Sequence, residues 1–103
     1  MGLGRVAVVG AGTMGAGIAQ KFAMEGAQVQ LMDLNPEAVE RGLQSIRTTL
    51  EQGVQRRILR PEHLEQAMGR LSGTTQLEDL AGCELIIEAV FEDLAVKRDV
   101  FAK

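Results

Sequence analysis

Apolar and polar positions alternate along this chain between short β-branched runs and longer stretches of helical period, which is the pattern of a βαβ protein. Arg5 to Val9 (RVAVV) predicts a first strand and Gln28 to Met32 a second. Leu71 to Thr74 predicts a weak edge strand. Glu84 to Val90 (ELIIEAV) is a near-continuous apolar run, as in a parallel strand covered on both faces, broken by Glu88 near its carboxyl end. Between the first two runs, Thr13 to Glu25 predicts a helix with Gly15, Ala19 and Ala23 as a small-residue face, Ile18 and Phe22 beside it, and Gly26 as its stop.

Asn35 suits an N-cap and Pro36 a first helical position, and from there Val39, Leu43, Ile46, Leu50 and Val54 recur every three or four residues as the buried stripe of a long helix. Pro61 opens a shorter helix through Met68, closed by Gly69. Thr75 and Glu78 match a capping box before a short turn that Gly82 ends. Past the fourth strand, Glu92 or Asp93 is expected to cap a last helix, Asp93 to Lys103, with Leu94, Val100 and Phe101 on its apolar side. With right-handed crossovers these strands lie in the order 3-2-1-4, a Rossmann-type, doubly wound parallel sheet. The helical pattern runs to Lys103 without a cap, glycine or polar tail. The domain, residues 1–103, is therefore expected to be truncated after its fourth strand and that strand's helix, with an apolar fourth-strand edge open to self-association.

The chemistry lies where the first run breaks. Gly10, Gly12 and Gly15 form a G-x-G-x-x-G spacing between a strand and a helix, and Asp33 ends the second strand 18 residues later. Gly10 turns the chain off the strand, Gly12 leaves room for a pyrophosphate, and Gly15 lets the helix lie close to the sheet. The first helical turn then offers backbone N–H groups and the positive end of a dipole. Asp33 stands where an adenosine ribose is bound, and a carboxylate there repels a 2′-phosphate. Leu34 follows it, with no arginine immediately beside the acid, so NAD is favoured over NADP. Glu88 and the loop after it are candidates for the same crevice.

Composition narrows the class. A chain of 103 residues, 46% hydrophobic with a net charge of −3, suits one α/β domain and gives no general attraction to nucleic acid or to an anionic membrane. No apolar run is long enough to span a bilayer, and Met1 leads directly into the first strand, so a cytoplasmic location is expected. Cys83 is the lone cysteine and reads as a small packed residue. His63 reads as a surface residue, and Arg56, Arg57 and Arg60 as a local basic cluster, either solvated or anchoring a phosphorylated substrate.

GAGTMGAGIAQ, the MDLN that closes strand two, and LIIEAVFEDLAVKRDVF together resemble the amino-terminal part of the 3-hydroxyacyl-CoA dehydrogenases, including the bacterial 3-hydroxybutyryl-CoA dehydrogenases. The resemblance covers essentially the whole chain. It implies cofactor contacts at Gly10, Ala11, Gly12, Thr13, Met14, Gly15 and Asp33, and also at Glu92 and Lys97. It places the family's coenzyme A contacts on Thr49 and Arg56, where the family has a serine and a lysine. It further implies an NAD-dependent oxidation of a 3-hydroxyacyl-CoA to a 3-oxoacyl-CoA in fatty-acid or related metabolism, by a homo-oligomeric parent enzyme. The family's catalytic histidine, glutamate, serine and asparagine have no counterpart in these residues, and His63 does not match that motif. On this reading the chain binds NAD and does not catalyse. The alternative from another class is a free-standing NAD-binding or sensing module.

Overall fold

The computed structural model describes residues 4–90 and, for the backbone, 93–97. Strands β1 (Arg5–Val9), β2 (Gln28–Met32), β3 (Leu71–Thr74) and β4 (Leu85–Val90) are joined by helices α1 (Thr13–Met24), α2 (Pro36–Gln55) and α3 (Pro61–Gly69), with a 3-10 turn, Leu77–Leu80, before β4. The parallel strands lie in the order β3-β2-β1-β4. This is the Rossmann-type arrangement expected from right-handed crossovers. Its registers bring Val9 level with Met32 on one side and with Glu88 on the other. The carboxyl ends of β1, β2 and β4 therefore meet at one crevice.

The helices cover one face of the sheet. Val6, Val8, Val29, Leu31 and Ile87 point into a core closed by Ala16, Ala19 and Ala23 of α1, Ile46 and Leu50 of α2, and Leu64 and Ala67 of α3. The small residues on α1 let its axis approach the strands closely, and the predicted stripe on α2 is realised with Leu43 and Val54 at its margin. Gly42 joins the buried face of α2, because an added Cβ would sit 2.9 Å from both the Ala11 carbonyl oxygen and Leu31 Cδ2. On the other face, among the described residues, Ala7, Met32 and Ile86 pack with Leu80 and Cys83, and Val9 lies against them. Burial pushes the Cys83 thiol up from its ordinary pKa, against an opposing effect of Arg5, and this suits the packed role expected for it.

Three sequence expectations are corrected. The capping pair of the 3-10 turn is not Thr75 with Glu78: the Thr74 hydroxyl accepts from the Gln76 N–H at 3.0 Å and donates to the Asp79 carboxylate. This pair spans five positions rather than the three of a capping box, because Thr74 is fixed by its pairing with Met32 while the turn starts only at Leu77. The helix expected from Asp93 does not form over its first residues. Asp93–Lys97 is instead strand β5, antiparallel to β4 with Val90 opposite Asp93 and Ile86 opposite Lys97. Leu94 stands opposite Ala89 in this register; Val100 and Phe101 lie outside the described residues. The physical cause is the edge itself: the outer N–H and C=O groups of β4 need partners, and a segment two residues along the chain can supply them as a hairpin. The third correction follows, since the β4 edge expected to drive self-association is already paired within the chain.

Candidate cofactor site

At the end of β1 the Gly10 N–H still bonds the Met32 carbonyl at 2.7 Å, and Gly10 then turns the chain with φ of 105°. That left-handed conformation favours glycine. The first intrahelical bond of α1 runs from the Ala16 N–H to the Gly12 carbonyl, 2.9 Å. The preceding N–H groups, those of Thr13, Met14 and Gly15, therefore have no acceptor one helical turn back and are available to an anion. No acidic residue stands in the first turn of α1 to oppose one.

The glycines differ in what surrounds them. A Cβ on Gly12 would meet nothing within 4 Å, so the space above the turn is open. A Cβ on Gly15 would overlap the Gly10 carbonyl, so α1 packs onto the turn as closely as its backbone allows. Gly12 therefore leaves room for a ligand, whereas Gly15 serves the fold.

Asp33 is tied to this turn directly. Its Oδ2 accepts from the Ala11 N–H at 3.0 Å and its Oδ1 from the Asn35 N–H at 3.1 Å, and Asn35 in turn caps α2 by accepting from the Glu37 N–H at 2.9 Å. The Ala11 hydrogen bond is the largest influence holding the Asp33 carboxyl below its ordinary 3.8; partial burial opposes it, while the Asn35 and Leu34 N–H groups and the charge of Arg41 reinforce it. The group is an anion at neutral pH. A carboxylate has about four acceptor positions, so capacity remains for a ribose hydroxyl.

Beside Asp33 lies a cavity of about 270 Å³ lined by Val9, Gly10, Met32, Leu34 and Leu77. Leu34 is 78% exposed and Leu77 45%, unusual for leucines beside an acid, and together they frame an apolar slot for a flat ring. Neither leucine stands out in the sequence as lining this cavity. The available signal was Leu34 itself, an apolar residue between an acid and a helix cap. Open space over Gly12, an ionised carboxylate and an apolar slot in one line fit a dinucleotide. A separate cavity of about 310 Å³, lined by Arg5, Gln28, Arg70 and Ser72, lies at the amino ends of the strands, away from this line.

The remaining expected residues are dispersed. Thr49 and Arg56 are exposed on α2 and at its C-cap, two turns apart, and neither lines a cavity at the glycine turn. His63 is exposed on α3. Glu88, level with Val9, lies at the carboxyl end of β4 as expected. Lys97 is placed by its backbone at the end of β5 opposite Ile86, toward the amino end of β4 rather than level with Glu88 at the crevice, and Glu92 lies outside the described residues. Among the described residues no helix is long and apolar enough to cross a membrane.

Comparison with known proteins points one way. Residues 5–103 match the profile of the 3-hydroxyacyl-CoA dehydrogenase NAD binding domain. A 3-hydroxyadipyl-CoA dehydrogenase of Escherichia coli K12 is 44% identical over 95% of this chain, and a 3-hydroxybutyryl-CoA dehydrogenase of Mycobacterium tuberculosis is 40% identical over 96% of it. The chain spans only 21% and 35% of those two proteins. Among solved structures, a 3-hydroxybutyryl-CoA dehydrogenase from Escherichia coli superposes with a TM-score of 0.85 at 41% identity, covering 90% of this chain and 20% of that one. An (S)-3-hydroxybutyryl-CoA dehydrogenase from Ralstonia eutropha gives 0.82 at 35% identity, covering 86% and 31%.

Proposed function

This chain belongs to the family of 3-hydroxyacyl-CoA dehydrogenase NAD-binding domains, and from that premise we propose that it is the cofactor-holding part of an enzyme interconverting (S)-3-hydroxyacyl-CoA and 3-oxoacyl-CoA. The observation that carries the reading is the Ala11 N–H to Asp33 hydrogen bond, which joins the phosphate turn and the ribose acid into one surface. In this reading NAD, when bound, supplies the hydride-accepting nicotinamide. The chain's own part is to hold it. The free N–H groups of Thr13, Met14 and Gly15 bind the pyrophosphate, the Asp33 carboxylate accepts from the adenosine ribose, and Leu34 and Leu77 enclose the adenine.

Residues 1–103 then form an incomplete dinucleotide-binding domain whose parent carries the histidine base and its partners in the remainder. Its relatives' greater lengths support that reading. We further assign Glu92 and Lys97 to the cofactor, Thr49 and Arg56 to coenzyme A, and the parent to a cytoplasmic homo-oligomer of fatty-acid metabolism. Thr49 and Arg56 are solvent-facing, keep a hydroxyl and a cation on one side of α2, and stand about 10 Å apart along its axis at 1.5 Å per residue, suited to a phosphorylated ligand lying along the helix.

The parent polypeptide should oxidise 3-hydroxybutyryl-CoA with NAD, followed as NADH absorbance, while the 103-residue chain alone binds NAD without turnover. A parent that binds NAD yet leaves every 3-hydroxyacyl-CoA untouched would sink the dehydrogenase reading in favour of a binding module. Calorimetric titration tests the site separately. NAD should bind more tightly than NADP, and Asp33→Ala should weaken NAD by about 1–3 kcal/mol through loss of a charged acceptor. Equal affinities for the two cofactors in the unaltered chain would remove Asp33 from the ribose position.

A further inference from the structure

One cation stands at the glycine turn that the spacing of the motif did not single out. Arg41, in the second turn of α2, lines a cavity of about 200 Å³ together with Gly12, Thr13 and Ser45. It is the only positively charged residue among the described residues lining the two cavities that border the turn. Its backbone is held there by the neighbouring residue, since α2 comes within contact of Ala11 only because Gly42 has no Cβ. The side chain is exposed and, among the described residues, makes neither an ion pair nor a hydrogen bond. Its charge acts on Asp33 as the smallest of the influences that lower that carboxyl, consistent with its place in the cavity beside the turn.

Resting on the NAD reading above, we propose that Arg41 binds the pyrophosphate of the dinucleotide from the α2 side, opposite the backbone N–H groups of α1. The electrostatics favour such a group. A pyrophosphate carrying two negative charges must sit beside the Asp33 carboxylate, and the partial charge at a helix start offsets only about half of one charge. A guanidinium adds a full positive charge and a planar fork of donors matched to phosphate oxygens. Arg41 thus lets one surface accept both a ribose through an acid and a dianion beside that acid. It is a binding residue for the diphosphate and leaves the choice between NAD and NADP to Asp33.

The test compares ligands that share parts of the cofactor, titrated against the unaltered chain, Arg41→Ala and Arg41→Lys, with folding checked by circular dichroism. Arg41→Ala should weaken both NAD and ADP by about tenfold, the loss of a charge-assisted contact, and leave adenosine unchanged. Arg41→Lys should recover part of the loss, and raising the salt concentration should narrow the gap between the unaltered chain and Arg41→Ala. Gly42→Ala, which displaces α2 from the turn while retaining the arginine, should reproduce the ADP loss. The proposal is overturned if Arg41→Ala binds NAD and ADP normally, if adenosine weakens equally, which would mean action through Asp33, or if NADP weakens more than NAD, which would make Arg41 a 2′-phosphate ligand. An unaltered chain that fails to bind NAD would instead overturn the cofactor reading on which the proposal rests.

Discussion

Replacing Gly12 with valine is expected to abolish NAD binding in a chain that still folds. Gly12 has φ of −74° and ψ of −165°, an extended conformation open to any residue, and a Cβ there meets nothing within 4 Å. Folding should therefore be affected little, by less than about 1 kcal/mol for a poorer N-cap residue. The empty space is where the pyrophosphate has to lie to reach the N–H groups of Thr13, Met14 and Gly15. A valine side chain fills it. Losing two or three hydrogen bonds to a charged ligand, each worth about 1.5 kcal/mol or more, removes roughly 4 kcal/mol, a thousandfold in affinity. Circular dichroism melting and NAD titration of one sample give both halves of the result. A folded Gly12→Val chain with ordinary NAD affinity would refute the assignment of the turn to phosphate.

Gly15→Ala should do the opposite and damage the fold before any ligand is added. The new methyl would overlap the Gly10 carbonyl, and that carbonyl cannot retreat easily because the Gly10 N–H is bonded to Met32 and Ala11 is bonded to Asp33. Either α1 lifts from β1, uncovering Ala16, Ala19 and Val8, or the turn distorts and its link to β2 breaks. An overpacked position with rigid backbone on the far side costs about 3 kcal/mol or more. Domains of this size have roughly 5–15 kcal/mol in total, so a fall in melting temperature of more than about 10 °C is expected. If Gly15→Ala melts like the unaltered chain, α1 does not pack on the turn as described. The pair separates two roles that the sequence spacing treats alike: one glycine keeps space for a ligand, the other keeps the helix against the sheet.

Most of the secondary structure was legible because its causes are local. The apolar runs at Arg5, Gln28 and Leu85 have nowhere to go except into a sheet covered by helices, and Asn35, Pro36, Gly26 and Pro61 mark element boundaries through backbone preferences that act over one or two residues. The order of the four parallel strands followed from crossover handedness, and the placement of Asp33 beside the glycine turn followed from the fixed strand, turn and helix length between them. Three features depended instead on what the folded chain brings together. Asp93–Lys97 reads as helix by its own pattern and becomes a strand because the outer edge of β4 offers hydrogen-bonding groups that local sequence does not announce. Thr74 and Asp79, rather than Thr75 and Glu78, tie the turn to the sheet because pairing with β2 fixes where β3 ends. The leucine-lined cavity and the place of Arg41 beside the turn were not legible because neither belongs to the glycine motif: Leu34 and Leu77 become neighbours only when β2 and β3 align, and Arg41 lines the cavity at the turn because α2, lacking a side chain at Gly42, packs onto Ala11. Short-range backbone preference and hydrophobic periodicity are written along the chain, whereas edge pairing, cavities and the position of a charge depend on contacts between segments far apart in sequence.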